Sequence, residues 1–143
     1  WDETGMGQVM VERVNREVVE SYGIADLGNV VLEPFKSVAL KGLVEKPSPE
    51  HAPSNLAVLG RYVLPSKVLE LLEDTGAGVG GEIQLTDALD TLLVTDGLNA
   101  FETDAEIHDC GNKQGFLSAN LAVGMRDAET KIVIKKLFKS NGW

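Results

Sequence analysis

Leu56-Ala57-Val58-Leu59-Gly60-Arg61-Tyr62-Val63-Leu64 is the most strand-like run in the chain. It follows a loop, Ser48 to Ser54, that holds Pro49 and Pro53, and it stops at Pro65. Proline suits the first residue of a helix, because its missing N–H has no partner there anyway. A helix is expected over Lys67 to Glu73, with Val68, Leu69, Leu71 and Leu72 as one apolar stripe. A strand that hands directly to an amphipathic helix sets the class: strands and helices mixed along one chain.

Upstream, Gln8 to Val14 alternates apolar and polar residues, the period of a half-buried strand. Asn15 can cap a short helix from Arg16 to Ser21, with Val18 and Val19 facing inward. Tyr22 to Asp26 reads as a second strand, turned at Gly28-Asn29, with Val30 to Phe35 as its hairpin return. Pro34 disfavours a central place for that return. Ser37 to Glu45 reads as one more strand, stopped at Lys46-Pro47 because proline restricts the residue before it.

Downstream, Thr75 to Gly81 is glycine-rich and reads as a surface loop. A longer helix is expected from Leu85 to Thr95, with Leu85, Ala88, Leu89, Leu92 and Leu93 inward and Asp87 and Asp90 outward. Ala100 to Thr103 and Ile107 to Asp109 read as short strands. Asn112 to Met125 is an amphipathic helix and Thr130 to Lys139 a basic last one. No internal repeat or low-complexity tract interrupts this order, so an α/β or α+β domain is expected, with part of the sheet parallel.

The 143 residues amount to one domain's worth of chain. Net charge is -9, from 22 acidic and 13 basic residues. That argues against nucleic-acid binding, where a basic stripe would carry most of the affinity. Nothing approaches the ~18 uninterrupted apolar residues of a membrane span. With a single cysteine, Cys110, no internal disulfide can form, and a reducing cytoplasm is the expected setting. Trp1 carries neither an initiator Met nor a helix-start signal, so a piece of a longer protein is expected.

Three stretches could carry chemistry. Val44-Glu45-Lys46-Pro47 places a carboxylate beside an ammonium at a strand end, where open α/β sheets bind ligands. A Glu can accept sugar hydroxyls and a Lys is a compact charge for a phosphate. The two side chains point to opposite faces unless the strand is already turning. A solvated surface pair is the plainer reading of the tetrapeptide alone. In His108-Asp109-Cys110-Gly111-Asn112-Lys113, Asp109 suits a hard metal such as Mg²⁺. Asn112 could equally be a helix cap and Asp109 a turn residue. A Cys–His nucleophile lacks a third orienting group, and two histidines with one cysteine do not make a tetrahedral zinc site. Gly80-Gly81-Glu82-Ile83-Gln84-Leu85-Thr86-Asp87 could present amides to an anion at a helix start. It is not a P-loop, since no Gly-Lys-Ser/Thr ends it, and a flexible connection into a helix is its default reading.

Taken together with Gly7-Gln8-Val9-Met10-Val11-Glu12, Tyr22-Gly23-Ile24, Ala52-Pro53-Ser54-Asn55-Leu56-Ala57 and Gly60-Arg61-Tyr62-Val63-Leu64, these stretches resemble the bacterial UTP–glucose-1-phosphate uridylyltransferases from about residue 5 to about residue 126. Thymidylyl- and adenylyltransferases share the Glu-Lys-Pro element, whereas the Gly-Arg-Tyr, Gly-Glu-Ile-Gln-Leu-Thr-Asp and His-Asp-Cys-Gly spellings look like the uridylyl branch. The resemblance implies a Rossmann-like nucleotidyltransferase fold with a mixed, mostly parallel sheet and flanking helices, of which residues 1–143 would form the C-terminal, sugar-phosphate-binding portion. It implies formation of UDP-glucose and pyrophosphate from UTP and glucose 1-phosphate, with Mg²⁺. Glu45 would hold the glucose hydroxyls and Lys46 the sugar phosphate. Tyr22-Gly23 would set the Gly23 backbone against the sugar, Asn55, Ala57 and Val58 would line the pocket, and Asp109 would be one of two carboxylates on Mg²⁺.

This sequence lacks the family's glycine-rich loop and its Pro-Lys-Glu-Met-Leu-Pro stretch. The N-terminal nucleotide-binding portion is therefore expected to be absent, and the chain by itself inactive. The alternative is a non-catalytic sugar-binding or dimerisation module. The apolar positions from Leu117 to Phe138 would then be exposed or paired with a second chain, and a homo-oligomer is expected.

Overall fold

The computed structural model describes residues 4–77 and 81–142. The chain divides into two compact units, residues 1–104 and 105–143. Gly80, the start of the glycine-rich stretch singled out above, lies outside the described residues.

The first unit is built on a six-stranded mixed sheet. Its strands are β1 (Gly7–Arg13), β2 (Gly23–Asp26), β3 (Ser37–Ala39), β4 (Gly42–Glu45), β5 (Leu56–Val63) and β6 (Leu98–Glu102), in the spatial order β3-β6-β1-β5-β2-β4. Helices α1 (Lys67–Asp74) and α2 (Leu85–Thr95) flank it. Only β1 and β6 run parallel, and every other pairing is antiparallel. The mixed sheet is as expected, but within this chain it is mostly antiparallel. Parallel neighbours need a long crossover, and β1 is joined to β6 only through all the chain from Arg13 to Leu98, which includes the four other strands.

Alternation along the strands divides the core between two faces. On one face Val9, Val11, Ala25, Leu56, Leu98 and Ala100 pack with Val68 of α1 and with Leu89 and Leu92 of α2. On the other, Ile24 and Ala57 meet Val19 and Ala52. Val19 belongs to a 3₁₀ helix, Arg16–Ser21. Val18 is exposed rather than inward, because three residues per turn separate adjacent side chains by about 120°. Asn15 makes no side-chain cap there. Leu69 of α1 is likewise exposed, and the residue in front of that helix is Ser66, one past Pro65.

Three expectations fail for one shared reason, that strand pairing is decided by distant chain. Residues 30–35 form no strand. Phe35 takes a left-handed backbone with φ of 62°, and its amide bonds to the Glu102 carbonyl at 2.8 Å. The return partner of β2 is instead β4, with Gly23 opposite Glu45. The run from Ser37 to Glu45 is two strands rather than one: β3 joins β6 and β4 joins β2. Between them, Leu40 donates to the Leu98 carbonyl and Lys41 to the Asp26 carbonyl, each at 2.8 Å. Finally, Ile107 to Asp109 is irregular chain.

The split has a geometric consequence. β3 and β4 are the two outer strands, and five inter-strand gaps of about 4.8 Å would set the edges of a flat sheet about 24 Å apart. The step from Ala39 to Gly42 reaches at most about 11 Å. The sheet must therefore curl until its two edges nearly meet. A register shift between Val9 and Val11 against β5 supplies a bulge of the kind that bends a strand.

The second unit is a helix pair, α3 (Lys113–Gly124) and α4 (Ala128–Ser140). The Asn112 side chain accepts from the Gly115 amide, and that of Asp127 from the Thr130 amide, each filling one orphan donor of its helix. The Thr130 hydrogen bonds also hold the Asp127 carboxyl below its ordinary pKa.

Candidate functional site

β4 ends at Glu45, and Lys46 turns the chain with φ of 46°. Outside glycine this left-handed backbone costs about 1 kcal/mol or more, and such strain tends to sit at functional positions. The Lys46 amide donates to the Tyr22 carbonyl at 3.0 Å, which holds the turn. Because the strand is already turning, the two neighbouring side chains do not part to opposite faces: Lys46 Nζ lies 3.9 Å from Glu45 Oε1. The Glu45 side chain is about one-third exposed and that of Lys46 about two-thirds, so both charges stay accessible.

Glu45 lies on the face of β4 that also carries Leu43, the face packed with α1 and α2. Its Oε2 accepts a 2.8 Å hydrogen bond from the hydroxyl of Thr86, in the first turn of α2. Gly23 stands directly across the register. A Cβ added there would come within 3.1 Å of Glu45 Oε2 and 3.8 Å of Val58 Cβ. The missing side chain at Gly23 therefore leaves room first for the glutamate's own carboxylate. Tyr62 completes the surroundings. Burial raises its phenol pKa above the ordinary value, and the Glu45 charge raises it further.

The structure thus brings Gly23, Glu45, Lys46 and Val58 together. Tyr22 joins through its carbonyl, while its ring packs on the opposite face with Val19 and Ile24. Ala57 is fully buried in that same opposite cluster. Asn55 is tied to the end of β1: its side chain donates to the Val14 carbonyl at 3.1 Å, and its carbonyl accepts from the Val14 amide at 3.0 Å. Thr86 and Tyr62 are the members that sequence reasoning passed over. Both lie inside quoted motifs, but a threonine at a helix start reads as local capping until the distant Glu45 is seen against it.

Asp109 belongs to the second unit. Its Oδ1 accepts from the Gly111 amide at 2.8 Å and its Oδ2 from the Asn112 side chain at 3.0 Å. This is the turn geometry typical of aspartate. Gly115 is required beneath it, because a Cβ there would overlap the Asp109 carbonyl. Both Asp109 and Asn112 are exposed. Cys110 is a free, exposed thiol, and His108 Nε2 faces Glu106 Oε1 at 3.3 Å. Among the described residues, no three His, Cys, Asp or Glu side chains gather as a metal site. A single exposed carboxylate nonetheless suits Mg²⁺, which is commonly held by one or two carboxylates plus substrate phosphates.

The curled mixed sheet with its flanking helices defines the class as α/β. The family model "Nucleotidyl transferase" matches residues 2–125, and the chain belongs to that family. Among individual proteins, it is 46% identical to the UTP–glucose-1-phosphate uridylyltransferase of Haemophilus influenzae, over 98% of this chain and 49% of that protein. A solved structure of UTP-bound UGPase from Acinetobacter baumannii superposes with a TM-score of 0.83 at 41% identity, covering 96% of this chain and 46% of that one. A crystal structure of UDP-glucose pyrophosphorylase complexed with UDP-glucose gives a TM-score of 0.78 at 36% identity, over 88% of this chain and 47% of that one. The chain therefore spans about half the length of the relatives it matches. No helix among the described residues is long and apolar enough to cross a membrane.

Proposed function

We propose that this chain supplies the sugar-phosphate side of a UTP–glucose-1-phosphate uridylyltransferase, which joins UTP and glucose 1-phosphate into UDP-glucose and pyrophosphate. The observation that carries the reading is the paired Glu45 and Lys46 at the end of β4, set against Gly23. The names and bound nucleotides of the relatives point the same way.

In this reading Glu45 accepts hydrogen bonds from glucose hydroxyls, and the sugar lies over the Gly23 backbone with Val58 beside it. Tyr22, Asn55 and the buried Ala57 hold that floor from their backbone and packing positions. Lys46 sets its ammonium against the sugar phosphate and offsets the charge that builds as a phosphate oxygen attacks the α-phosphorus of UTP in line. Catalysis of this type is mostly positioning and charge neutralisation. Asp109 would be a ligand for Mg²⁺, which when bound supplies further neutralisation of phosphate charge. The nucleotide-gripping portion is assigned to the N-terminal half of the complete enzyme. The single cysteine suits a reducing cytoplasm. Exposed Leu117, Val123, Ile132 and Leu137 on α3 and α4 suit assembly into a homo-oligomer. A non-catalytic module draws no support from relatives that carry enzyme names.

The test joins this chain to the N-terminal half of the Haemophilus influenzae relative and assays UDP-glucose formation with and without Mg²⁺. Metal-dependent synthesis is expected, with Lys46→Ala cutting it at least about tenfold, the scale of losing one charge-assisted bond to phosphate. A hybrid that folds but uses a different nucleotide or sugar would overturn the specificity. An unchanged rate in Lys46→Ala would remove Lys46 from the site.

A further inference from the structure

Thr86 and Glu45 are 41 residues apart in sequence, yet the Thr86 hydroxyl is committed to Glu45 Oε2 at 2.8 Å. A threonine in the first turn of a helix has nearer uses for its hydroxyl, since that turn leaves backbone amides unpaired. Its place is set by the core, because Ala88, Leu89 and Leu92 of the same helix are buried against the sheet. The helix thus arrives as a fixed body and presents one hydroxyl to one carboxylate oxygen.

The other side of the carboxylate is arranged differently. Lys46 Nζ is 3.9 Å from Oε1, too far for a hydrogen bond. Gly23 leaves open the space beside Oε2, where even a methyl group would press on the carboxylate. One oxygen is therefore anchored by protein, while the other stays free beside an exposed ammonium.

We propose that Thr86 is a positioning residue that locks the Glu45 carboxylate, so that Oε1 is presented in a fixed direction to a sugar hydroxyl next to the phosphate held by Lys46. This deepens the proposed function and rests on its assignment of Glu45 to the sugar. An unanchored glutamate would lose rotamer freedom on binding, and that loss weakens affinity; anchoring it beforehand removes the loss.

The experiment uses the 143-residue chain with Thr86→Val, which keeps the shape and removes the hydroxyl, and Thr86→Ser, which keeps the hydroxyl. Side-chain three-bond couplings of Glu45 by NMR report its rotamer without any ligand. Titrations with glucose 1-phosphate and with inorganic phosphate report the site, and thermal melting reports the fold. The expected result is rotamer averaging at Glu45 in Thr86→Val and about tenfold weaker glucose 1-phosphate binding. Inorganic phosphate affinity and melting temperature stay unchanged, and Thr86→Ser restores the wild-type couplings and affinity. Unchanged Glu45 couplings in Thr86→Val would overturn the proposal whatever the sugar does. Averaged couplings with unchanged glucose 1-phosphate affinity would also overturn it, by showing that the anchored direction is not what the sugar reads. If the wild-type chain ignores glucose 1-phosphate while the couplings still respond, the lock stands and Glu45's role toward the sugar falls.

Discussion

The strand end at Glu45-Lys46 and the turn at Asp109 both hold a carboxylate, but they are built in opposite ways. Apart from its neighbour Lys46, the groups around Glu45 come from afar: Gly23 across the register, Thr86 from α2, Tyr62 from β5. Every described group on the Asp109 carboxylate lies within three residues of it, and Gly115 packs beneath from the same turn. The first site exists only if the sheet and α2 are assembled in register. The second is a local motif that a short peptide could begin to form. Remote construction gives a carboxylate with one oxygen fixed and one free. Local construction gives one with both oxygens in turn bonds and open to solvent.

The largest expected effect breaks the local site alone. Gly115→Ala would force its new methyl into the Asp109 carbonyl, which is backbone and cannot swing aside. A loss of about 2 kcal/mol is expected, the scale of an overpacked core. Amide resonances of Gly111 and Asn112 should move while those of Thr86 stay put. A normal Gly111 shift in the variant would show that the turn does not depend on that contact. A smaller effect separates strain from charge at the remote site. Lys46→Gly and Lys46→Ala both lose the ammonium, but only glycine accepts a φ of 46° freely. Urea denaturation should find the glycine variant more stable by about 1 kcal/mol, and equal stability would mean that the left-handed turn is not kept in solution.

The smallest effect concerns pH. The Tyr62 phenol is held above its ordinary value of 10.0, first by burial and then by the Glu45 charge. The folded chain keeps this proton in a window where the unfolded chain has lost it. Stability from this source is therefore full below pH 10 and falls as pH rises through the raised folded value. Glu45→Gln removes the second cause, so the alkaline decline should become shallower. An identical decline in both proteins would place Tyr62 out of reach of Glu45.

What could be read from sequence follows the same division between near and far. The extents of β1, β5 and α2 were legible because hydrophobic period is a property of neighbouring residues. The Asn112 cap was legible as one of two local readings. The break at Leu40-Lys41 was not, because β3 and β4 choose partners, Leu98–Glu102 and Gly23–Asp26, that no local pattern announces. At the site, the Glu45-Lys46 pair stood out by its chemistry. Whether the two would converge depended on a single backbone angle at Lys46, and the use of Thr86 depended on where α2 lands. The interior position of Ala57 was hidden as well, since alternation leaves open which face is which.

The short link between the sheet's outer strands also constrains the order in which the sheet can be assembled as the chain leaves the ribosome. β1 pairs only with β5 and β6, and β3 only with β6. β2 and β4 are the first complete pair to emerge. Ser37–Ala39, although made before β4, must wait for Leu98–Glu102, as β1 must for its parallel neighbour, and these two pairings span the widest sequence separations in the sheet. Such distant closures cost more chain entropy than local ones and form more slowly. Glu45 therefore meets Gly23 early in synthesis, whereas Thr86 can reach it only after α2 has been made. The carboxylate is placed first and locked afterwards.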